Sequence, residues 1–218
     1  MINEPFPLFY HTHLIQAYSK YAIDCPDRCK IVAIAEPRPN TQQHFATLHN
    51  VDKTLVFNTW QELHAASAET ISTIGKPLAD AVLVAVQDHL HADVVDAFAS
   101  QGYHILCEKP MATSLEDCIK IETTIKKAGT IFGMGHGLFI AYPILGQHWL
   151  AYTGYSVLRY SPYSKEIREI IRSGVLGELI NVVQIEPVGY YHFAHSFVRG
   201  NWSNEKTSAF SLMTKSCQ

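Results

Sequence analysis

The sequence predicts an α/β fold, a doubly wound, Rossmann-like parallel sheet, and three observations lead to this prediction. Five short apolar runs alternate with amphipathic stretches over roughly residues 14–136. Most of these runs are apolar at nearly every position, which is typical of parallel strands that helices cover on both faces. The links between the runs and the amphipathic stretches are short, as they are in βαβ units.

The five apolar runs are the predicted strands. The first run ends in the acid Glu36, and the run with the most informative sequence around it ends in Glu108. The runs that begin at Thr54 and Thr130 are shorter or weaker than the other three. In chain order the predicted strands are Lys30–Glu36, Thr54–Phe57, Ala79–Val86, His104–Glu108 and Thr130–Gly133.

Three helices are predicted in this region from apolar periodicity and from capping residues. Pro26 ends the first helix, and Gly102 follows the last residue of the second. The third has a serine at its N-cap, with Asp117 three positions later in the place of a capping-box partner. The predicted helices cover Leu14–Asp24, Ala92–Ser100 and the stretch between Ser114 and Gly129.

The pattern changes beyond residue 136 and predicts the start of a second, α+β domain. A helix begins at Ser161-Pro162, carries isoleucines on one face and is closed by Gly174. Leu179–Val188 is a candidate for a long strand, and the aromatic, His-rich stretch Gly189–Trp202 follows as strand or loop. This strand needs partners, since an isolated strand or hairpin is only marginally stable in water.

Composition excludes several classes of protein. The chain has 218 residues, 47% of them hydrophobic, and a formal charge of −3, which argues against a nucleic-acid binder. Five cysteines and no secretory signal indicate reduced thiols and a cytoplasmic location. Residues 129–158 carry no charge, but glycines and Pro143 interrupt the stretch, so a membrane span is not expected.

Metal binding is also not expected. The closest candidates among the histidines and cysteines are His11-x-His13, His89-x-His91, the pair His192 and His195, and the C-x3-C spacing of Cys25 and Cys29. None of them has the further ligands that a metal site requires at a suitable spacing.

The most informative string is Glu108-Lys109-Pro110, which follows a predicted strand and precedes a capped helix. In an open α/β sheet, ligands bind outside the carboxyl ends of the strands. Lys109 could therefore donate a proton or a hydrogen bond to a reacting oxygen, while Glu108 holds a ribose hydroxyl. The alternative is an ion pair at the surface.

Around this string the chain resembles the Gfo/Idh/MocA family of NAD(P)-dependent oxidoreductases. Residues 102–114, GYHILCEKPMATS, are similar to the family's signature, and in residues 86–91, VQDHLH, Asp88 stands where the family usually has Asn. The other strings that resemble the family are residues 31–39, IVAIAEPRP, residues 160–163, YSPY, and residues 189–202, GYYHFAHSFVRGNW.

This resemblance implies an enzyme with NAD or NADP as cofactor and a sugar-like or other small hydroxyl or carbonyl compound as substrate. Lys109 would be the catalytic lysine, and Glu108 would lie near the nicotinamide ribose. Glu36 suits the free 2′-hydroxyl of NAD, whereas Arg38 could instead accept the 2′-phosphate of NADP. The cofactor-binding residues that the resemblance implies are Glu36, Arg38, Asp88, His91, Glu108, Lys109 and Pro110. In its full-length form the protein would be a homo-oligomer.

The chain departs from the family pattern at its beginning. A dinucleotide fold needs a first strand that ends in G-x-G-x-x-G, because the pyrophosphate binds to backbone N–H groups at a helix N-terminus. The first glycine of this chain is Gly75. In the usual strand order the first strand is central, so we expect either a gap in the sheet or new strand pairing, together with weakened dinucleotide binding.

Two further departures lie in the second half. Gly137–Ser156 interrupts the family pattern, and Gln218 ends the chain where similar sequences continue with an active-site His. The expected organisation is a Rossmann-like domain over residues 1–136, an anomalous insert over 137–156, and a truncated substrate and oligomerisation domain over 157–218. The function is therefore an oxidoreductase impaired by truncation, or alternatively an inactive isoform or pseudo-enzyme that only binds dinucleotide weakly or binds proteins.

Overall fold

A computed structural model describes residues 18–135, 162–183, 185, 187–209 and 214, and the chain forms two units. The first unit comprises Met1–Ala85, Asp93–Cys107 and Lys120–Gly133. The second comprises Val86–Ala92, Glu108–Ile119 and Met134–Gln218. The predicted insert, residues 137–156, lies outside the described residues.

All five predicted strands are present, several of them shorter than predicted. The strand β4 has the predicted bounds, whereas the first strand keeps only two of its seven predicted residues. The strands are β1 (Ile34–Ala35), β2 (Val56–Phe57), β3 (Ala81–Val84), β4 (His104–Glu108) and β5 (Phe132–Gly135).

The strands form two separate sheets in the described part of the chain. One sheet pairs β1 with β2 in parallel, and the other has the order β3-β4-β5, with β3 and β4 also parallel. In a dinucleotide-binding sheet of order 3-2-1-4-5-6, the strand between these two groups is the first one. Among the described residues no strand joins β1 to β3, and the lack of the first strand stays a prediction.

Helices follow the strands as in a doubly wound fold. The three predicted helices of this region are confirmed where the structure describes them, and two more, α2 and α3, were not predicted. The helices are α1 (18–24 of the described residues), α2 (Pro39–Leu48), α3 (Trp60–Ile74), α4 (His91–Ser100) and α5 (Leu115–Ala128).

The missed helix α3 carries the same local signals as the predicted helix α5. The Thr59 hydroxyl accepts a hydrogen bond from the Glu62 N–H, and Gly75 ends α3 in the left-handed conformation at φ +74°. At the start of α5, the Ser114 hydroxyl accepts from the Asp117 N–H at 3.1 Å and donates to the Asp117 carboxylate at 2.8 Å. This reciprocal pair confirms the predicted cap.

The apolar core of the first unit centres on Phe98 of α4. Its ring makes edge-on contacts with Tyr103, at a centroid distance of 5.3 Å, and with His64, at 5.5 Å. The strands β3 and β4 contribute side chains from the other side, among them Val84 and Cys107, both almost fully buried. Strands buried in this way explain why their sequences are apolar at nearly every position.

In the second unit, the predicted helix is confirmed as α6 (Pro162–Arg172), but the strand that follows was predicted wrongly. None of the described residues of Leu179–Val188 is in a strand, and Ile180 is 96% exposed. The reason is that a strand depends on a hydrogen-bonding neighbour, and no described strand pairs with this segment.

The aromatic stretch is helical, which corrects the expectation of strand or loop. It consists of α7 (Tyr190–Phe193), a π-helical turn (Ala194–Val198) and a 3₁₀ turn (Asn201–Ser203). Gly200 connects the last two turns, and a side chain at this position would overlap the carbonyl oxygen of His195. None of the described helices has the length and apolar character needed to cross a membrane.

The buried hydroxyl pair of Tyr103 and Ser67 provides a test of the core. Their oxygens lie 2.7 Å apart, and the Tyr103 hydroxyl also accepts from the Leu78 N–H at 3.1 Å. Tyr103→Phe leaves the buried Ser67 hydroxyl and the partly buried Leu78 N–H without this partner, so we expect a loss of about 1–3 kcal/mol in the free energy of unfolding. Urea denaturation measures this loss.

Two variants serve as controls for this prediction. Ser67→Ala added to Tyr103→Phe removes one of the stranded groups and should recover part of the loss. Tyr163→Phe changes an exposed tyrosine and should leave stability within about 0.5 kcal/mol. A Tyr103→Phe variant as stable as the original chain would contradict the account of the core.

Candidate active site

The candidate site lies in the second unit and combines three segments of the chain. The segment 86–92 follows β3, and the segment 108–119 begins with the last residue of β4. The third segment contains Trp202 and Thr214. Because β3 and β4 are parallel neighbours, the first two segments leave the sheet at adjacent carboxyl ends, where ligands bind in open α/β sheets.

His91 joins the first two of these segments. Its ring is 1% exposed, with Nδ1 at 2.8 Å from the Pro110 carbonyl oxygen and Nε2 at 3.2 Å from the Val86 carbonyl oxygen. A neutral imidazole can donate to only one of these oxygens, and an imidazolium can donate to both. In either state the ring fixes the position of Pro110 next to Lys109.

Lys109 is half-buried and its ammonium is held at a defined place. Nζ donates a hydrogen bond to the main-chain carbonyl oxygen of Thr214 at 2.8 Å, and Thr214 is buried. The preceding Glu108 is also buried, and its Oε2 accepts from the Lys109 N–H at 3.2 Å. The peptide bond between Lys109 and Pro110 is cis. The string Glu108-Lys109-Pro110 is thus part of the second unit's interior and not a surface ion pair.

Asp88 is the second buried carboxylate of the site. It begins a 3₁₀ turn (Asp88–Leu90) ahead of α4, and its Oδ2 accepts a hydrogen bond from the indole N–H of Trp202 at 3.0 Å. The neighbouring His89 approaches the carbonyl oxygen of Thr207 at 3.3 Å through Nδ1. Two contacts therefore connect the turn after β3 to the third segment.

Glu36 and Arg38 lie in the first unit, in the connection between β1 and α2. Arg38 donates to both carboxylate oxygens of Glu36, from Nε and Nη2 at 2.7 Å each, and its backbone N–H donates at 2.9 Å. The hydrogen bond and the negative charge of Glu36 raise the pKa of the Arg38 guanidinium. Gln42 of α2 fixes the chain here by donating to the carbonyl oxygens of Glu36 and Phe57.

A cavity of about 330 Å³ opens beside Trp202 in the second unit. Most of the described side chains that line it carry a hydroxyl or carboxylate oxygen, and none of these described side chains is cationic. The lining residues are Thr113, Trp202, Ser203, Glu205, Ser208 and Ala209.

Neither the Cys118 thiol nor the potential metal ligands among the described residues form a further site. The thiol of Cys118 in α5 has a raised pKa because of burial and the nearby charge of Asp117, so it stays protonated and is a poor nucleophile. Among the described residues, no group of three His, Cys, Asp or Glu side chains is arranged to hold a metal ion.

Comparison with known proteins identifies the family. The sequence profile described as "Oxidoreductase family, NAD-binding Rossmann fold", that of Gfo/Idh/MocA proteins, matches residues 11–136, more than half of the chain. The chain belongs to the Gfo/Idh/MocA oxidoreductase family. This membership confirms the predicted family, its Rossmann-type α/β fold and a nicotinamide dinucleotide as the family's cofactor, and it leaves the choice between NAD and NADP open.

Two curated relatives of the chain are named for sugar-derived compounds. The chain is 27% identical over 125 residues to 2,7-anhydro-N-acetylneuraminate hydratase of Escherichia coli, a match that covers 57% of this chain and 28% of that protein. It is 38% identical over 65 residues to 1,5-anhydro-D-fructose reductase of Ensifer adhaerens, covering 30% of this chain and 20% of that one. The matched regions thus span less than a third of these relatives.

Solved structures share the fold. The WlbA dehydrogenase of Bordetella pertussis, in complex with NADH and UDP-GlcNAcA, matches 76% of this chain and 38% of its own, with a TM-score of 0.56 and 19% identity. The aldose-aldose oxidoreductase of Caulobacter crescentus, complexed with glycerol, matches 73% of this chain and 41% of its own, with a TM-score of 0.51 and 22% identity.

The structure brings some of the predicted site residues together and adds others. Asp88, His91, Glu108, Lys109 and Pro110 all lie in the second unit, whereas Glu36 and Arg38 lie in the first. The contacts of Trp202 and Thr214 were not predicted. For Trp202 one signal existed, since a partly buried indole N–H usually finds a hydrogen-bond acceptor, but nothing in the sequence indicated Asp88 as that acceptor.

Gly200 allows the chain to place Trp202 next to Asp88. A Cβ atom at Gly200 would overlap the His195 carbonyl oxygen and lie 3.0 Å from that of Ser196, and backbone atoms cannot yield as a flexible side chain can. We therefore expect Gly200→Ala to lower the free energy of unfolding by about 1–3 kcal/mol. Thermal and urea denaturation measure the change.

Gly189→Ala is the matched control for Gly200→Ala. Gly189 precedes α7 at φ −57°, and a Cβ atom there meets nothing within 4 Å. This variant should stay within about 0.5 kcal/mol of the original chain. Equal effects of the two substitutions would show that the close packing at Gly200 does not exist in solution.

Proposed function

We propose that the whole protein is an NAD(P)-dependent oxidoreductase that transfers hydride to or from a sugar-like hydroxyl or carbonyl compound, with Lys109 as its catalytic residue. The observation that carries the proposal is the placement of Lys109 directly after β4, with its ammonium held by the Thr214 carbonyl oxygen. The names of the curated relatives support a sugar-like substrate.

The ammonium of Lys109 suits proton transfer to a reacting oxygen. It has three N–H donors, and one bond to Thr214 leaves two for a substrate hydroxyl or carbonyl oxygen. A cation at this place stabilises negative charge that develops on the oxygen, and it can donate or take back the proton. The buried Glu108 next to it fixes the Lys109 backbone, since its carboxylate accepts from the Lys109 N–H.

Several residues fit a nicotinamide dinucleotide, which when bound supplies the hydride donor or acceptor. Glu36 follows β1 at the position where an acid binds the adenosine ribose in Rossmann folds. Asp88 and Glu108 follow β3 and end β4, and we assign them to the nicotinamide side. His91 acts as a positioning residue, because backbone carbonyl oxygens lie against both of its ring nitrogens.

We propose NAD as the preferred cofactor. A 2′-phosphate would need the Arg38 guanidinium, but this group already makes two hydrogen bonds to Glu36. The Glu36 carboxylate can still accept a ribose hydroxyl, since two carboxylate oxygens together offer about four lone-pair sites. A phosphate would also meet the negative charge of Glu36.

A second candidate function is weak dinucleotide binding without turnover. It is favoured by the lack of any glycine before Gly75, because the close approach of a pyrophosphate to the backbone normally requires glycines. Titration of the purified chain with NADH, followed by nicotinamide fluorescence, separates the two functions. Saturable binding with turnover excludes this second candidate, and an absence of binding at high NADH excludes the first for this chain.

We also propose a cellular location, an oligomeric state and a set of domain boundaries for the protein. The odd number of cysteines supports a cytoplasmic location. A homo-oligomer in the full-length form and the boundaries 1–136, 137–156 and 157–218 also stay predictions. Native mass spectrometry and limited proteolysis would test these last two.

Lys109→Met tests the catalytic assignment. Methionine keeps the length and apolar character of the side chain but removes the proton donor, so we expect turnover to fall by at least about 100-fold, the contribution typical of general acid–base catalysis. Affinity for NADH should change less than about threefold. Initial rates and a fluorescence titration measure the two effects.

Lys127→Met is the matched control, because Lys127 is exposed in the last turn of α5. It should leave both turnover and NADH affinity unchanged. Turnover that survives in Lys109→Met would remove this lysine from the mechanism.

Glu36→Gln tests the cofactor preference. The amide removes the charge that binds Arg38 and the charged acceptor for the ribose, so we expect NADH affinity to fall about tenfold, as for one hydrogen bond to a charged group. NADPH affinity should rise relative to NADH, because Arg38 becomes available to the 2′-phosphate. Glu69→Gln, at an exposed position of α3, is the control and should change neither affinity. An unchanged NADPH-to-NADH ratio in Glu36→Gln would contradict the assignment.

A further inference from the structure

The cavity beside Trp202 has a chemical character that selects among sugars. Its volume of about 330 Å³ is at the lower end of the range of about 300–1,000 Å³ for small-molecule pockets. This size suits a single sugar ring better than a nucleotide sugar. The polar atoms of its wall then decide which substituents on that ring can bind.

The hydroxyls of the wall act mainly as acceptors. The Ser203 hydroxyl already donates to the Gly200 carbonyl oxygen at 2.7 Å, and the Ser208 hydroxyl donates to that of Asn204 at 3.1 Å. A serine hydroxyl has one donor and two acceptor lone pairs. Because the donor of each serine is already engaged, its oxygen can only accept hydrogen bonds from a ligand. The Thr113 hydroxyl can act in both ways.

Glu205 gives the wall a negative charge. An ionised carboxylate only accepts hydrogen bonds, and no lining side chain in the described part of the chain is cationic. A ligand with its own carboxylate or phosphate would therefore be repelled by Glu205. Hydroxyl groups and ammonium groups, in contrast, can donate to the Glu205 carboxylate and to the serine oxygens.

Trp202 adds an apolar surface but no further donor. Its indole N–H is bonded to Asp88, so what the residue offers the cavity is the ring. The face of an aromatic ring attracts cations and packs against apolar surface. This again favours an ammonium group or the C–H face of a sugar over an anion.

We propose that the Trp202 cavity is a subsite for a donor-rich, neutral or cationic sugar ring, with an amino sugar preferred and a uronic acid rejected, and that Glu205 determines this selectivity. The proposal rests on the proposed function, since it assigns the cavity to the sugar-like substrate of that function. It concerns the chain's own residues and does not require bound cofactor.

Binding of three simple sugars to the full chain tests the proposal. Glucosamine, glucose and glucuronate differ at single positions and carry positive, zero and negative charge. Isothermal titration calorimetry or saturation-transfer NMR gives their affinities without turnover. We expect glucosamine to bind at least about tenfold more tightly than glucuronate. The partly screened Glu205 carboxylate attracts the ammonium of the first sugar and repels the carboxylate of the second, and the two effects add.

Glu205→Gln should reduce the glucosamine-to-glucuronate affinity ratio about fivefold, because the amide keeps the shape and removes the charge. The control Glu178→Gln removes a carboxylate that does not line the cavity and should leave the ratio unchanged. Both positions are exposed, so the variants should fold as the original chain does.

The outcomes separate this inference from the proposed function. Glucuronate binding as tightly as glucosamine, an unchanged ratio in Glu205→Gln, or an equal change in Glu178→Gln overturns the inference. Binding of NADH without binding of any of the three sugars also overturns it and leaves the proposed function standing. Selective sugar binding without any NADH binding supports the cavity as a subsite and overturns the proposed function for this chain.

Discussion

The buried ring of His91 is the constraint on which the candidate site depends. It lies between the carbonyl oxygens of Val86 and Pro110, so it joins the segment after β3 to the segment after β4. Buried carbonyl groups without a hydrogen-bond donor are costly, and the His91 ring lies at hydrogen-bonding distance from both of these oxygens. The ring therefore fixes Pro110, and with it the backbone of Lys109, independently of any ligand.

Much of the fold between residues 18 and 135 could be predicted from sequence because its signals are local. The run from His104 to Glu108 is apolar, is followed by a cap at Ser114, and forms a strand with the predicted bounds. The pairing of β3 with β4 follows from the same kind of signal, because both runs are apolar at nearly every position and a helix lies between them. Local chemistry determines these features, and so a single sequence reveals them.

Features that depend on distant partners could not be predicted in this way. Asp88 and Trp202 are 114 positions apart, and Lys109 and Thr214 are 105 apart, so no spacing rule connects them. The same limit explains the wrong strand at Leu179–Val188, since apolar alternation shows that a segment can pair but not whether a neighbour is present. In the second unit, long-range contacts build the site.

The charges at the two candidate ligand positions follow one rule. At the end of β1, the positive charge of Arg38 is engaged by Glu36, so the carboxylate remains as the group that meets a hydroxyl. In the cavity, the hydroxyls of Ser203 and Ser208 already donate hydrogen bonds to backbone carbonyl oxygens. They can therefore only accept hydrogen bonds from a ligand. Lys109 differs, because its ammonium keeps donors beyond the Thr214 bond. At each of these two positions, taken separately, acceptors therefore suit a hydroxyl-rich ligand, whereas the Lys109 ammonium offers donors to an oxygen that reacts.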